Sequence, residues 1–275
     1  MIRAAGTNCD AEMVRAFGLA GAACDLVHLN RLIAEPGLLG QYALIGFPGG
    51  FSYGDDIASG RVFATRLRER LYPALRAAAE RGVPMIGACN GFQVLVQVGL
   101  LPGPADGRWP ESPPEQTAAL AENAGARFID RWLRVKADGS SACVWTRGLV
   151  EREPPFAADA MMLPIAHGEG RFVADGEDTM RMLREGGRIA LRYAEGENVN
   201  GSAERIAGIC DASGLIFGLM PHPERYLEWT NHPFWTRLPG ESMRGVTPGL
   251  AMFAGAVAHV KGEAYADPPT AAIVG

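Results

Sequence analysis

Residues 87–93 read Gly-Ala-Cys-Asn-Gly-Phe-Gln, "GACNGFQ". They follow the apolar run "VPMI" (83–86) and precede "VLVQVGLL" (94–101). The first run reads as a strand. The second reads as a helix with Phe92, Leu95, Val96 and Leu100 along one face. The junction has the form G-x-C-x-G. A nucleophile held up on a sharp strand-to-helix turn sits in strained backbone, and only small residues two positions to either side avoid a clash. Gly87 and Gly91 meet that need. Cys89 then stands at a helix N-terminus, where unbonded N–H groups and the macrodipole stabilise negative charge. The Asn90 amide points at the same spot and can serve an oxyanion. Most cysteines are inert core filler. The paired glycines favour a nucleophile here.

Working outward, "MIRAA" (1–5), "CDLVHL" (24–29), "YALIGF" (42–47) and "VPMIGA" (83–88) read as strands. Between them lie a helix after "GTNCDAE", with Met13, Ala16, Phe17 and Ala20 inward, and a helical stretch over 62–81 kinked at Pro73. This alternation, with a further helix over 90–101, predicts an α/β fold with a parallel sheet covered on both faces. The proline-rich stretch 102–125 reads as a surface insertion holding one short helix. Beyond it, "RFIDRWLRVKA", "SACVWTRGL", "MMLPIA", "GRIALRYA" and "RIAGICDASGLIFGLM" read as strands, the last a hairpin turning at "ASG". They are expected to add antiparallel strands to the sheet or its edge. A final helix is expected over 248–261. Residues 1–262 thus form one domain, and 263–275 are expected to be a loose tail.

Bulk properties exclude several classes. The net charge of −5 carries no basic surplus, so nucleic acid is not an expected partner. No window of 18 apolar residues exists and no apolar leader opens the chain, so neither a membrane span nor a secretory signal is expected. Cysteines stand at 9, 24, 89, 143 and 210 without a CxxC pair, which indicates neither a disulfide framework nor a metal site. A reducing, cytoplasmic compartment fits that usage. Cys24, Cys143 and Cys210 fall in apolar patterns and read as core.

A cysteine nucleophile needs a base, and the base needs an orienting acceptor. His28 lies in a strand, His259 in the last helix, and His232 has no neighbouring carboxylate. Two candidates remain, and they look alike. "AHGEG" offers His167 with Glu169, and "PHPER" offers His222 with Glu224. In extended chain, residues i and i+2 point the same way, so either Glu can reach its own His. Pro221 and Pro223 stiffen the backbone around His222, which favours it as base, while Gly168 and Gly170 suit a loop that offers backbone groups to a ligand. The residues alone leave both open. In "FPGGFSYGDD" (47–56), Gly49 and Gly50 end a strand and can aim a second N–H at the cysteine, unless they are a plain turn.

Cys89 in "CNGFQ", with "PGG" upstream and "PHPE" downstream, resembles the class I (triad-type) glutamine amidotransferases. "GTNCD", "PGGFSYGD", "AHGEGRF", "NVNGS" and "MPHPER", in that order, are similar to the branch of this family that serves purine biosynthesis. The similarity covers roughly residues 5–226. Each motif alone is weak; the ordered set is specific. The resemblance implies a flavodoxin-like three-layer sandwich with a mostly parallel central sheet plus added antiparallel strands. It implies that Cys89 attacks the side-chain amide of L-glutamine, that His222 shuttles protons and that Glu224 orients His222. Gly49, Gly50 and Asn90 would form the oxyanion hole, and Gln93, His167 and Gly168 would hold the α-amino and α-carboxylate end of glutamine. It implies no cofactor on this chain. The sequence has no GxxxxGK[ST] loop, so ATP and Mg2+ are expected on a separate synthetase subunit, which a small bridging subunit often joins. Two other readings compete: a glutaminase serving another ligase or acting as a stand-alone γ-glutamyl hydrolase, and a catalytically silent or redox-sensing protein on the same fold. Three departures from the family pattern stand out: a first strand short enough to suggest a truncated start, the bulk of 102–125, and a long 227–250 segment.

Overall fold

The computed structural model describes residues 1–268. Its first half runs β1 (Ile2–Arg3), α1 (Asp10–Leu19), β2 (Val27–His28), α2 (Leu29–Ala34), β3 (Ile45–Phe47), α3 (Arg61–Arg70), α4 (Tyr72–Glu80), β4 (Met85–Ala88) and α5 (Asn90–Val98). The second half runs β5 (Ala118–Ala121), β6 (Ile129–Ala137), α6 (Arg147–Val150), β7 (Met162–His167), β8 (Arg171–Ala174), α7 (Glu177–Glu185), β9 (Ile189–Tyr193), β10 (Ile206–Cys210), β11 (Ile216–Leu219) and α8 (Pro248–Lys261).

The main sheet has seven strands in the order β3-β4-β11-β10-β9-β6-β7. β4 is parallel to both neighbours, with Gly87 opposite Phe47 on one side and Gly218 on the other. From β11 outward the pairs are antiparallel. The late strands therefore join the same sheet, and the fold is α/β with a mixed sheet. β1 and β2 form a short parallel pair, and β5 and β8 a short antiparallel one. β4 is buried along its whole length, as an apolar run without alternation requires. Met85 joins the core under α2 to α5 and α7, and Ile86 the core under α1, α6 and α8. Three layers result, and the C-terminal ends of β3, β4 and β11 open onto one edge.

Several expectations change. The stretch 62–81 is two helices rather than one kinked helix. The break falls at Leu71 (φ −127°), so Pro73 sits in the first turn of α4, where a missing N–H costs no hydrogen bond. The end of the 102–125 insertion is a strand, not a helix. Ala118 and Leu120 are buried, and β5 pairs with β8. Residues 141–149 are not a strand: the chain is loop and turn up to Thr146 and then enters α6, and Trp145 is buried and donates through Nε1 to Leu215 O at 2.8 Å. α2, β8 and α7 were not expected. The tail is tied down at its start: Tyr265 packs on the core, and Asp267 pairs with Arg152 at 3.3 Å. The remainder of the expected loose tail, 269–275, lies outside the described residues.

Candidate active site

The β4–α5 turn carries Cys89 at φ 50°, ψ −109°, a backbone that L-residues rarely adopt. Such strain costs about 1–3 kcal/mol and persists only where the surroundings impose it. Here a Cβ on Gly87 would lie 2.5 Å from Gly91 O, and one on Gly91 would lie 1.9 Å from Phe47 O. The chain doubles back so tightly that both positions must be glycine. Cys89 N donates to Leu219 O at 2.8 Å, which pins the turn to β11. Cys89 is buried, at 6% exposure.

β11 runs parallel beside β4, so the chain leaving it emerges next to Cys89. There His222 caps a short 3-10 turn, Pro223–Arg225, that folds Glu224 back onto the imidazole. Nδ1 of His222 lies 2.7 Å from Glu224 Oε1 with both side chains buried. With Nδ1–H donating to the carboxylate, Nε2 is left to exchange protons. Burial opposes charge on His222, yet the Glu224 carboxylate and the Cys89 and Cys9 sulfurs together raise its pKa well above the usual histidine value. A Cβ on Gly49 would lie 2.7 Å from His222 Cε1, so Gly49 also clears room for the ring.

The Gly50 and Asn90 N–H groups donate to no backbone carbonyl among the described residues. Gly50 is at φ 128° and is held by the turn around Thr7, where Phe51 N donates to Gly6 O at 3.0 Å. The Asn90 side chain is fully engaged. Its Oδ1 accepts from Ser52 Oγ at 2.6 Å, and its Nδ2 donates to Asp55 Oδ1 at 3.1 Å and to Gln93 Oε1 at 3.0 Å. The backbone amide is the part of Asn90 free to meet a ligand.

The second His-x-Glu segment is built differently. His167 Nδ1 is 3.1 Å from Asn123 Oδ1, and Asn123 also donates to His167 O and Arg127 O at 2.8 Å. Gly170 covers the ring so closely that a Cβ there would lie 2.1 Å from His167 Cε1. Burial and the nearby His222 lower the His167 pKa to about 4. Glu169 does not touch it; Glu169 Oε2 accepts from Ser59 N at 3.3 Å. Gln93 donates through Nε2 to Glu169 O and accepts from Asn90 through Oε1. Gln93 Nε2 thereby ties the 166–170 loop to α5, while its Oε1 is bonded within α5. His167 is buried and held through Nδ1 by Asn123, and Gly168 is the partly open member of the set.

Sequence reasoning missed other residues around the site. Asn123 sits in the proline-rich insertion, where nothing signalled it. Asn200, which donates to Gly170 O at 2.9 Å, was present in "NVNGS" only as part of a motif. Asp55 bonds Asn90 and accepts from Ser59 Oγ at 3.1 Å; burial first, then Glu169, acts to raise its pKa, and the net shift is upward. The remaining histidines have structural roles or lie apart: His28 Nδ1 caps α2 through Asn30 N, and His232 bonds Asp159 O at 3.0 Å.

Residues 1–260 match the family profile of the CobB/CobQ-like glutamine amidotransferase domain. This chain belongs to the CobB/CobQ-like glutamine amidotransferases. Within that family, it is 40% identical to the phosphoribosylformylglycinamidine synthase subunit PurQ of Dehalococcoides mccartyi, over 94% of this chain and 95% of the relative. It is 41% identical to PurQ of Methanococcus maripaludis, over 83% and 82%. Among solved structures, PurLQS from Thermotoga maritima is similar at TM-score 0.68 and 31% identity, over 94% of this amidotransferase and 96% of that chain.

Proposed function

We infer that this amidotransferase is the glutaminase subunit of a phosphoribosylformylglycinamidine synthase. It releases ammonia from L-glutamine for a separate synthetase subunit. The observation that carries the reading is the strained Cys89 turn facing the buried His222–Glu224 pair.

The chemistry follows from that arrangement. His222 takes the thiol proton as Cys89 Sγ attacks the side-chain amide carbon. The Gly50 and Asn90 N–H groups, or Gly49 in place of Gly50, receive the oxyanion. His222 then gives its proton to the departing ammonia, leaving a glutamyl thioester. A water loses a proton to His222 and attacks the thioester carbon. Glutamate leaves, and the thiol regains its proton. Gly168 and the loop braced by Gln93 and His167 would hold the α-amino and α-carboxylate groups. ATP and Mg2+ are assigned to the synthetase. A small bridging subunit is part of the proposal on the strength of the sequence resemblance alone. No helix among the described residues is long and apolar enough to cross a membrane. With five free cysteines, the cytoplasm is the compartment we assign.

The rim of the site suits a protein partner. Phe51 and Phe128 are half exposed, and their rings stack at 6.4 Å beside the Gly50 and Gly168 loops. Ile57 on the neighbouring loop is 90% exposed. Apolar groups gathered at one edge mark an interaction surface. The test is glutamine hydrolysis with and without the synthetase. Stimulation by the synthetase supports the reading. Full hydrolysis by the chain alone, unchanged by the synthetase, would indicate a stand-alone hydrolase.

A further inference from the structure

Cys9 is not used in the mechanism above, yet the fold brings it to the catalytic pair. It caps the start of α1 without a side-chain capping bond and is 1% exposed. Its N–H donates to Gly49 O at 3.3 Å, which draws the "GTNCD" turn against the "PGG" loop. One donor atom each from Cys9, His222 and Glu224 lie within 4.8 Å of one another, and all three residues are buried. A second observation bears on the same spot. Glu224 Oε1 is bonded to His222, but Oε2 is buried with no hydrogen-bond partner among the described residues. An unsatisfied buried acceptor costs about 1–3 kcal/mol, and a cation would satisfy it.

We propose that Cys9, His222 and Glu224 form a capture site for a thiophilic divalent cation, Zn2+, whose binding reversibly switches off the glutaminase. One sulfur, one imidazole nitrogen and one carboxylate oxygen are a donor set that zinc accepts and that Mg2+, which demands oxygen ligands, does not. The Mg2+ of a synthetase would therefore not compete. Ligands on tetrahedral zinc at about 2.0–2.3 Å lie roughly 3.3–3.8 Å apart, so modest side-chain rotation closes the set. The fourth position is left to water. Binding requires the Cys9 thiol and the coordinating imidazole nitrogen to be unprotonated, so protons are released to solvent. It also requires Arg225 to leave Cys9, to which its Nη2 donates at 3.1 Å. Arg225 has a second acceptor in Glu12, at 3.6 Å, to hold it aside. Once the ion is bound, His222 no longer exchanges protons with Cys89, and Glu224 no longer orients it.

The proposal rests on the glutaminase reading, so the test has a readout independent of activity. The full chain, stripped with a chelator, is titrated with Co2+ as a spectroscopic stand-in for Zn2+. The expected result is one site per chain with a thiolate-to-cobalt charge-transfer absorption, kept in Cys89→Ala and lost in both Cys9→Ser and Cys9→Ala. In parallel, Zn2+ should inhibit glutamine hydrolysis and a chelator should restore it. The zinc concentration for half inhibition should rise about tenfold or more in Cys9→Ser. The proposal is overturned if the wild type shows no thiolate–cobalt band, if the band follows Cys89 rather than Cys9, or if Cys9→Ser is inhibited at the wild-type zinc concentration. Zinc-free wild type that fails to hydrolyse glutamine even with the synthetase would instead count against the glutaminase reading and leave the cobalt result to decide the site.

Discussion

"AHGEG" and "PHPER" present the same His-x-Glu spacing, each at the end of a strand, each with its histidine buried. They end as opposites. After His222 the chain enters a 3-10 turn and brings Glu224 to 2.7 Å from the ring. After His167 it opens toward β8, and Glu169 turns away to Ser59. An amide, Asn123, meets His167 in place of a carboxylate. Against its burial, the Glu224 carboxylate and the neighbouring sulfurs raise the His222 pKa, whereas burial and the nearby His222 lower that of His167 to about 4. Spacing in sequence does not make an acid–base pair. The backbone that follows the histidine decides whether its carboxylate returns.

This contrast can be broken or sharpened by experiment. The largest effect is expected for Cys89→Ala. Loss of the proposed nucleophile, acting as a unit with its base, should reduce glutamine-dependent activity by about 10⁴-fold or more. Ammonia-dependent synthesis by the assembled complex should survive. Replacement of the proposed base, His222→Ala, should come next, at about 10³–10⁴-fold in kcat. Glu224→Gln should cost less, because the imidazole keeps a hydrogen-bonding partner but loses its charge partner. A steady-state comparison of kcat and KM checks this ranking. His167→Gln should act chiefly on KM, through the loop it supports. A result in which His167→Gln costs more in kcat than His222→Ala would reverse the assignment of the two segments.

Smaller effects should appear in stability. His167 is buried neutral, so between its folded value of about 4 and the ordinary 6.5 the unfolded chain binds more protons. Stability should therefore fall as pH drops through this window, by up to about 3 kcal/mol from this group. Unfolding midpoints measured from pH 4 to 7 should show a flatter acid limb in His167→Gln. Asn123→Ala leaves His167 Nδ1 and Gly170 N without their partner and should destabilise by about 1–3 kcal/mol. Chemical denaturation measures it, and no loss would show that Asn123 is dispensable to the loop.

Much of the fold was legible in the chain because apolar runs and turn residues agreed. The four early strands, α1, α5 and the final helix at Pro248–Lys261 could be read directly, whereas α2 and the break between α3 and α4 could not. The "ICDASGLIF" hairpin was legible too, since Asp211 and Gly214 (φ 73°) build the turn, with Asp211 carboxylate bonds to Ser213 N and Ile216 N. β5 was not legible, since "AALA" has no strand propensity of its own and is recruited by β8. Nor was α6, where buried Trp145 made a turn look like a strand. At the site, the demand for glycine at 87 and 91 made Cys89 readable. The choice between the two histidines was not readable from physics alone, because it depends on Asn123 and on a 3-10 turn that no short-range pattern announced. The partner of Gln93 was hidden for a similar reason. An amide that looks available in sequence is already bonded when a loop 76 residues away folds over it.

The most direct test of the account is acid-quench trapping of the glutamyl adduct on Cys89 by intact mass, in wild type, His222→Ala and His167→Gln at saturating glutamine with the synthetase present. The account predicts an adduct in the wild type and in His167→Gln, and none in His222→Ala. An adduct that persists in His222→Ala but disappears in His167→Gln would contradict it.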